Sequence, residues 1–231
     1  MKTLTAWWSK GPKPGNLGDV LTPIVLRGLG ISVEWADQAR AEMLAIGSII
    51  RFARPGQAVW GSGAMWATDS PSPDAHYLAL RGPITGEVVR KAGGTDPGVY
   101  GDPALLLPLI HDRPVEQVHD LGVVPHYIDD PPSGPWHTIS PLSSDPLAVV
   151  DRIRSCRAIV SSSLHGIIVA HAYGIPAAWV RLSDRLDGDD TKFRDYAASV
   201  GVELPPYLTV RSARPILPPS FDTLPLRDAL A

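Results

Sequence analysis

Short apolar runs alternate with amphipathic stretches along this chain, the pattern of strand–helix units that build a parallel sheet. Leu4 to Trp8 reads as a first strand. A Gly/Pro loop from Gly11 to Gly15 follows, then a helix from about Asp19 to Leu29 that closes at Gly28 or Gly30. Ile31 to Trp35, Met43 to Ile46, Ala58 to Trp60 and His76 to Leu80 read as further strands, and Pro83 suits the first turn of a helix through Arg90. Ala104 to Leu107 reads as a short helical stretch closed by Pro108.

The polar segment Ile110 to Asp120 reads as a linker. Beyond it the pattern restarts with strands at Leu121 to Val124 and His137 to Ile139, a helix from Pro146 to Ser155, and a strand at Ala158 to Ser161. A helix from Leu164 to Tyr173, a strand from Ala177 to Leu182, a helix capped by Asp190 and running through Val200, and a last short helix near Asp222 to Leu230 complete the reading. The expected fold is therefore α/β, with two Rossmann-like domains, residues 1–112 and 117–231, and a ligand cleft between them beyond the carboxyl ends of the strands.

Length agrees with that division, since 231 residues make one large domain or two compact ones. A net charge of −3 supplies no polybasic field, so bulk nucleic acid and anionic membrane surfaces are not the expected partners. The sole cysteine, Cys156, excludes an intramolecular disulfide. Its setting reads as a half-buried helix end. Residues 1–10 lack the apolar run and cleavage site of a signal peptide, and the apolar stretch from Ile167 to Val180 is broken by His171, Gly174 and Pro176. The expected location is cytoplasmic, with no membrane span.

The chemistry concentrates at strand-to-helix turns. In Ser161-Ser162-Ser163-Leu164-His165-Gly166 a β-branched run empties into three serines and a helix start, where free N–H groups and hydroxyls favour a phosphate. The same residues also make an ordinary N-cap, with His165 packed or exposed. His171 lies six residues on, about 240° around a helix, so the two histidines cannot share a metal, and His171 reads as structural. Asn16-Leu17-Gly18-Asp19 stands at another helix entrance. There Gly18 permits close backbone approach, and Asp19 either caps the helix or acts as a base. Arg81, ending a strand, is placed to grip a phosphate or to form a surface salt bridge, and Asp102 and His126 follow apolar runs toward the same cleft.

Asp187-Gly188-Asp189-Asp190 precedes a helix and reads as capping rather than as a metal-holding pair, with Lys192 beyond it in reach of a phosphate. Trp7, Trp8, Trp60 and Trp66 lie near strand ends, as sugar-stacking surfaces or as core. Neither Gly28-Leu29-Gly30 nor Gly61-Ser62-Gly63 completes a dinucleotide fingerprint.

Taken in order, Asn16-x-Gly18-Asp19, Gly61-Ser62-Gly63, Arg81-Gly82-Pro83-Ile84-Thr85, Gly101-Asp102-Pro103-Ala104, Pro125-His126-Tyr127, Ser162-Ser163-Leu164-His165-Gly166 and Lys192-Phe193-x-Asp195-Tyr196 resemble the polysaccharide pyruvyl transferase family. The resemblance implies a compact glycosyltransferase-B-like arrangement, phosphoenolpyruvate as donor substrate, and a ketal formed on a sugar diol, with no cofactor and no metal. It casts His165 as the active-site histidine and Arg81 as a phosphate-binding arginine. His126 and Asp19 follow as bases on the acceptor, and Asn16, Gly18, Asp102, Ser161, Ser162, Ser163, Gly166 and Lys192 line the substrates. Family members often carry an arginine two positions before the histidine. Ser163 stands there in this chain, leaving Lys192, Arg181 or backbone amides to substitute. Two other functions fit the same residues: a metal-independent glycosyltransferase using a nucleotide sugar, and a non-catalytic carbohydrate-binding protein.

Overall fold

The computed structural model describes residues 3–9 and 11–230. Met1, Lys2, Lys10 and Ala231, on which the domain ends and part of the N-terminal reading fall, lie outside the described residues. Two all-parallel sheets form the molecule. The first has β1 (Leu4–Trp7), β2 (Val33–Trp35), β3 (Met43–Leu44), β4 (Ala58–Ser62) and β5 (His76–Leu80), in the order β2-β1-β3-β4-β5. The second has β6 (Gly122–Val124), β7 (His137–Thr138), β8 (Ile159–Ser161) and β9 (Ala177–Trp179), in the order β7-β6-β8-β9. This is an α/β protein of two Rossmann-like halves. In each half the strand order reverses once, between β1 and β3 and between β6 and β8, and ligands of open parallel sheets bind beyond such points.

Helix α1 (Leu17–Gly28) buries Leu17, Leu21 and Val25 at four-residue spacing, carries Asp19 in its first turn and Arg27 in its last, and stops before Gly30 at φ +84°. Helix α2 (Pro83–Lys91) starts on proline as expected, and α3 (Pro146–Arg154) is capped by Asp145, whose carboxylate accepts the Ala148 N–H. Helix α4 (Leu164–Ala172) is apolar almost all round because it is buried on every side, between the second sheet, α1, α3 and the apolar 3-10 turn Pro103–Leu109. That turn was expected to end at Pro108 but carries Pro108 inside it. Strand β9 stops at Trp179, three residues short of the expected end.

Between the sheets runs an exposed stretch at residues 112–118, where the division at 112–117 was expected. The chain does not keep to one side of it. Helix α5 (Thr191–Ser199) packs back on α2, and α6 (Leu224–Asp228) packs on the Pro103–Leu109 turn, where the Leu226 carbonyl accepts the Trp60 indole N–H at 2.8 Å. One continuous core joins residues from both sheets, among them Leu21, Val25, Trp60, Ile153, Ile167 and Tyr196. The entrance of α1 is also tied to the second half: Leu17 N–H donates to Pro141 O at 2.8 Å and Ser143 N–H to Gly15 O at 2.9 Å. No described helix is long and apolar enough to cross a membrane.

Candidate functional site

The loops beyond both strand-order reversals open into one cleft of about 750 Å³. Trp7 ends β1, Asn16 and Asp19 follow it, and Gly47 and Ser48 follow β3. His126 and Tyr127 follow β6, Ser163 to His165 follow β8, and Lys192 reaches in from the first turn of α5. Six of the expected site residues therefore share one wall system: Asn16, Asp19, His126, Ser163, His165 and Lys192.

Ser163 is the N-cap of α4, yet its side chain makes no capping bond. The first amides of a helix, here those of Leu164 and His165, have no partner within it. Lys192 and Arg51 are the cations that line the same cleft. Burial, reinforced by the charge of Arg81, pushes the Lys192 ammonium down to about 8. Lys192 thus stands in the cleft that holds Ser163, the position where the family often has arginine. Arg181, the other expected substitute, is paired with Asp190 and stacks over Trp179 outside this cleft.

Asp19 is held by a 2.9 Å hydrogen bond from Asn16 Nδ2. Burial raises its pKa, while Asn16 and the nearby His165 work against the shift. His126 is pushed down to about 4, first by burial and then by Lys192, so its ring is neutral. Its Nδ1 accepts the Ile128 N–H at 3.4 Å, which leaves the ring proton on Nε2. In this form Nε2 carries the hydrogen and Nδ1 the lone pair.

Several expected ligand residues stand behind the wall instead. Arg81 does not project into the cleft. Its side chain is 1% exposed, with Nε on Asp195 at 3.0 Å, one terminal nitrogen on Ser48 Oγ at 2.8 Å and the other on Ala64 O at 2.6 Å. Gly63 leaves the room this guanidinium fills, and Gly61, at φ +75°, lies against Pro103. Ser161 Oγ is consumed by the Val124 and Ser163 carbonyls, each at 2.7 Å, and by the Ser163 N–H. Ser162 Oγ donates to Asp129 at 2.6 Å and accepts the backbone N–H of His126 at 2.8 Å. Gly166 lets α4 close on Ser161 and Val124. Asp102 is fully buried, with Oδ1 accepting the Ala104 N–H at 2.9 Å and Oδ2 lying 3.5 Å from His165 Nε2. Gly18 packs directly against the His165 ring.

Other expectations resolve as packing. Trp60 is core and Trp66 is exposed away from the cleft, so of the four tryptophans only Trp7 lines it, edge-on to Phe52 at 5.3 Å. His171 is structural, between Tyr196 OH and Ile216 O. Asp190 sits at φ 68° and does not cap α5; Asp189 accepts the Thr191 N–H at 3.1 Å instead. Cys156 is fully buried. Sequence reasoning missed Ser48, Arg51, Phe52 and Asp129. The small pair Gly47-Ser48 directly after an apolar run was the available signal for the first of them.

Fold and site together define an α/β protein whose two sheets present a shared cleft lined by a helix start and a lysine. Residues 71–184 match the polysaccharide pyruvyl transferase family. That stretch takes in Arg81, Asp102, His126 and Ser161 to Gly166, while Asn16, Gly18, Asp19 and Lys192 lie outside it. The chain is also 38% identical over 120 residues to an uncharacterized protein of Acanthamoeba polyphaga mimivirus; the match takes in 46% of this chain and 42% of that relative. The chain thus spans about two-fifths of the relative's length.

Proposed function

We propose that this protein transfers a pyruvyl group from phosphoenolpyruvate to a sugar diol, forming a cyclic ketal. The observation that carries the reading is the start of α4 opening, with Lys192, into the cleft at both sheet reversals, in a chain whose residues 71–184 match the family. The Leu164 and His165 amides, the Ser163 hydroxyl and the Lys192 ammonium hold the donor phosphate. Trp7 and Phe52 form an apolar wall against which a sugar ring stacks.

The reaction balances without further reagents. A proton reaches the methylene carbon of the donor, and one acceptor hydroxyl adds to the adjacent carbon. The carbon–oxygen bond to phosphate then breaks, and the second hydroxyl closes the ring. Of the two protons released by the hydroxyls, one replaces that given to the methylene carbon and the other leaves on phosphate. His165, on the cleft floor beside Asp19, is the proton-transfer group.

The test is incubation of the purified chain with phosphoenolpyruvate and a panel of glycosides bearing vicinal or 4,6-diols. Acceptor-dependent release of inorganic phosphate, with the ketal seen by mass spectrometry, is expected. Thermal stabilisation by nucleotide sugars and not by phosphoenolpyruvate would favour glycosyl transfer; a bound saccharide with no phosphorylated donor would favour a binding protein.

A further inference from the structure

Among the described residues, three buried side-chain polar atoms lack a hydrogen-bond partner, and two of them face each other: Asp102 Oδ2 and His165 Nε2. An unsatisfied buried polar atom costs about 1–3 kcal/mol, so two in one place need a reason. At 3.5 Å the pair is long for a hydrogen bond, as catalytic contacts often are before substrate tightens them.

Neither side chain is free to leave. Asp102 is pinned through Oδ1 to the Ala104 N–H, at the head of a 3-10 turn whose residues Pro103 to Leu107 are all buried. His165 is set by the first turn of α4, and Asp102 is not part of the cleft wall, whereas His165 is. A carboxylate oxygen only accepts, so the facing pair is favourable only with hydrogen on Nε2. The other ring nitrogen, Nδ1, has no partner among the described residues and is not sealed as Nε2 is. It lies against Gly18, where any Cβ would overlap the ring, and close to Asp19.

We infer that Asp102 is a positioning residue that holds the Nε2 proton of His165, so that proton transfer in the cleft takes place at Nδ1. The role given to His165 rests on the proposed function; the proton's place on the ring does not. In the neutral ring the lone pair is on Nδ1. It takes a proton from an acceptor hydroxyl, the resulting imidazolium is stabilised by the Asp102 carboxylate, and the same proton leaves from Nδ1 to the departing phosphate. Nε2 keeps its hydrogen throughout.

The deciding measurement is long-range proton–nitrogen NMR on the full chain with nitrogen-15-labelled histidine, with the His165 signals assigned by their loss in His165→Gln. The wild-type neutral ring is expected in the Nε2–H form. Asp102→Asn keeps an oxygen for the Ala104 N–H but turns an amide NH₂ toward Nε2, so the ring is expected to switch to Nδ1–H. With phosphoenolpyruvate and an acceptor, that variant is expected to keep its donor KM within about threefold and to lose kcat by roughly 10²–10⁴-fold. A wild-type Nδ1–H ring, or an unchanged ring form in the variant, overturns the inference. If Asp102→Asn fails to fold, the wild-type ring form decides alone. A ring switch without pyruvyl transfer to any acceptor upholds the positioning role and removes the proposed function.

Discussion

Arg81 and Asp195 meet at 3.0 Å with both side chains sealed from solvent, joining the end of β5 to the middle of α5. Asp195 also accepts the Thr85 N–H at 2.8 Å and the Thr85 hydroxyl at 2.7 Å, so the carboxylate is fully used. Removing one partner of such a pair leaves an uncompensated buried charge, at a cost of about 3–5 kcal/mol. Asp195→Ala and Arg81→Ala are therefore both expected to lower Tm by roughly 6–20 °C in a chain of this size. Calorimetry checks it. An Arg81→Ala protein that melts like wild type but no longer binds phosphoenolpyruvate would return Arg81 to the ligand.

On the proposed function, Lys192 is expected to give donor binding an upper pH limit. Burial disfavours its cation, so it is charged below about 8 and neutral above. The donor phosphate becomes a dianion above about 6. Affinity for phosphoenolpyruvate is expected to peak between these values and to fall as pH rises past 8. Calorimetric titration across pH 6–10 measures this, and Lys192→Met should bind weakly with no alkaline limb.

Gly18→Ala tests the fit of α1 against the histidine. Alanine suits a helix better than glycine by about 1 kcal/mol, so the fold is expected to persist. The new methyl must displace the His165 ring, and misplacement of that order costs about 10²-fold in rate. A variant with wild-type melting and wild-type turnover would show that the ring position is immaterial.

Acid stability follows from His171. Burial pushes it down to about 4 from the ordinary 6.5, so it is neutral in the fold. The unfolded chain binds a proton there that the folded chain refuses. Its stabilisation is therefore complete above 6.5 and is lost as pH falls toward 4, by about 2 kcal/mol at pH 5. His126 acts in the same direction. Urea midpoints at pH 7 and pH 5 are expected to differ, and His171→Gln should remove about half of that difference.

Fold class was legible because the apolar runs are short and bounded by turn residues; β5 and the first residues of α2, α3 and α4 fall where the pattern places them. The ends of β3 and β9 were overrun because apolar residues continue past the sheet into core. The cleft was legible at Asn16, Asp19, Ser163, His165 and Lys192 because each follows a strand or opens a helix facing it. Arg81 misled because a guanidinium at a strand end suits a ligand or a buried carboxylate equally, and its partner Asp195 is 114 positions away. Ser161 and Ser162 misled for the same reason: a hydroxyl at a helix start serves a phosphate or a backbone equally well, and only the packing chooses.

The exposed stretch at 112–118 looks like a hinge but joins halves that share one core and exchange α5, α6 and the α1 entrance. A protease that cuts there severs a covalent link and little else. The two fragments are expected to stay associated through the shared core, and either one made alone would expose the apolar face it normally hides. The cleft thus lies along a seam whose two sides are fastened by the same core, and loosening that core would disturb the cleft with it.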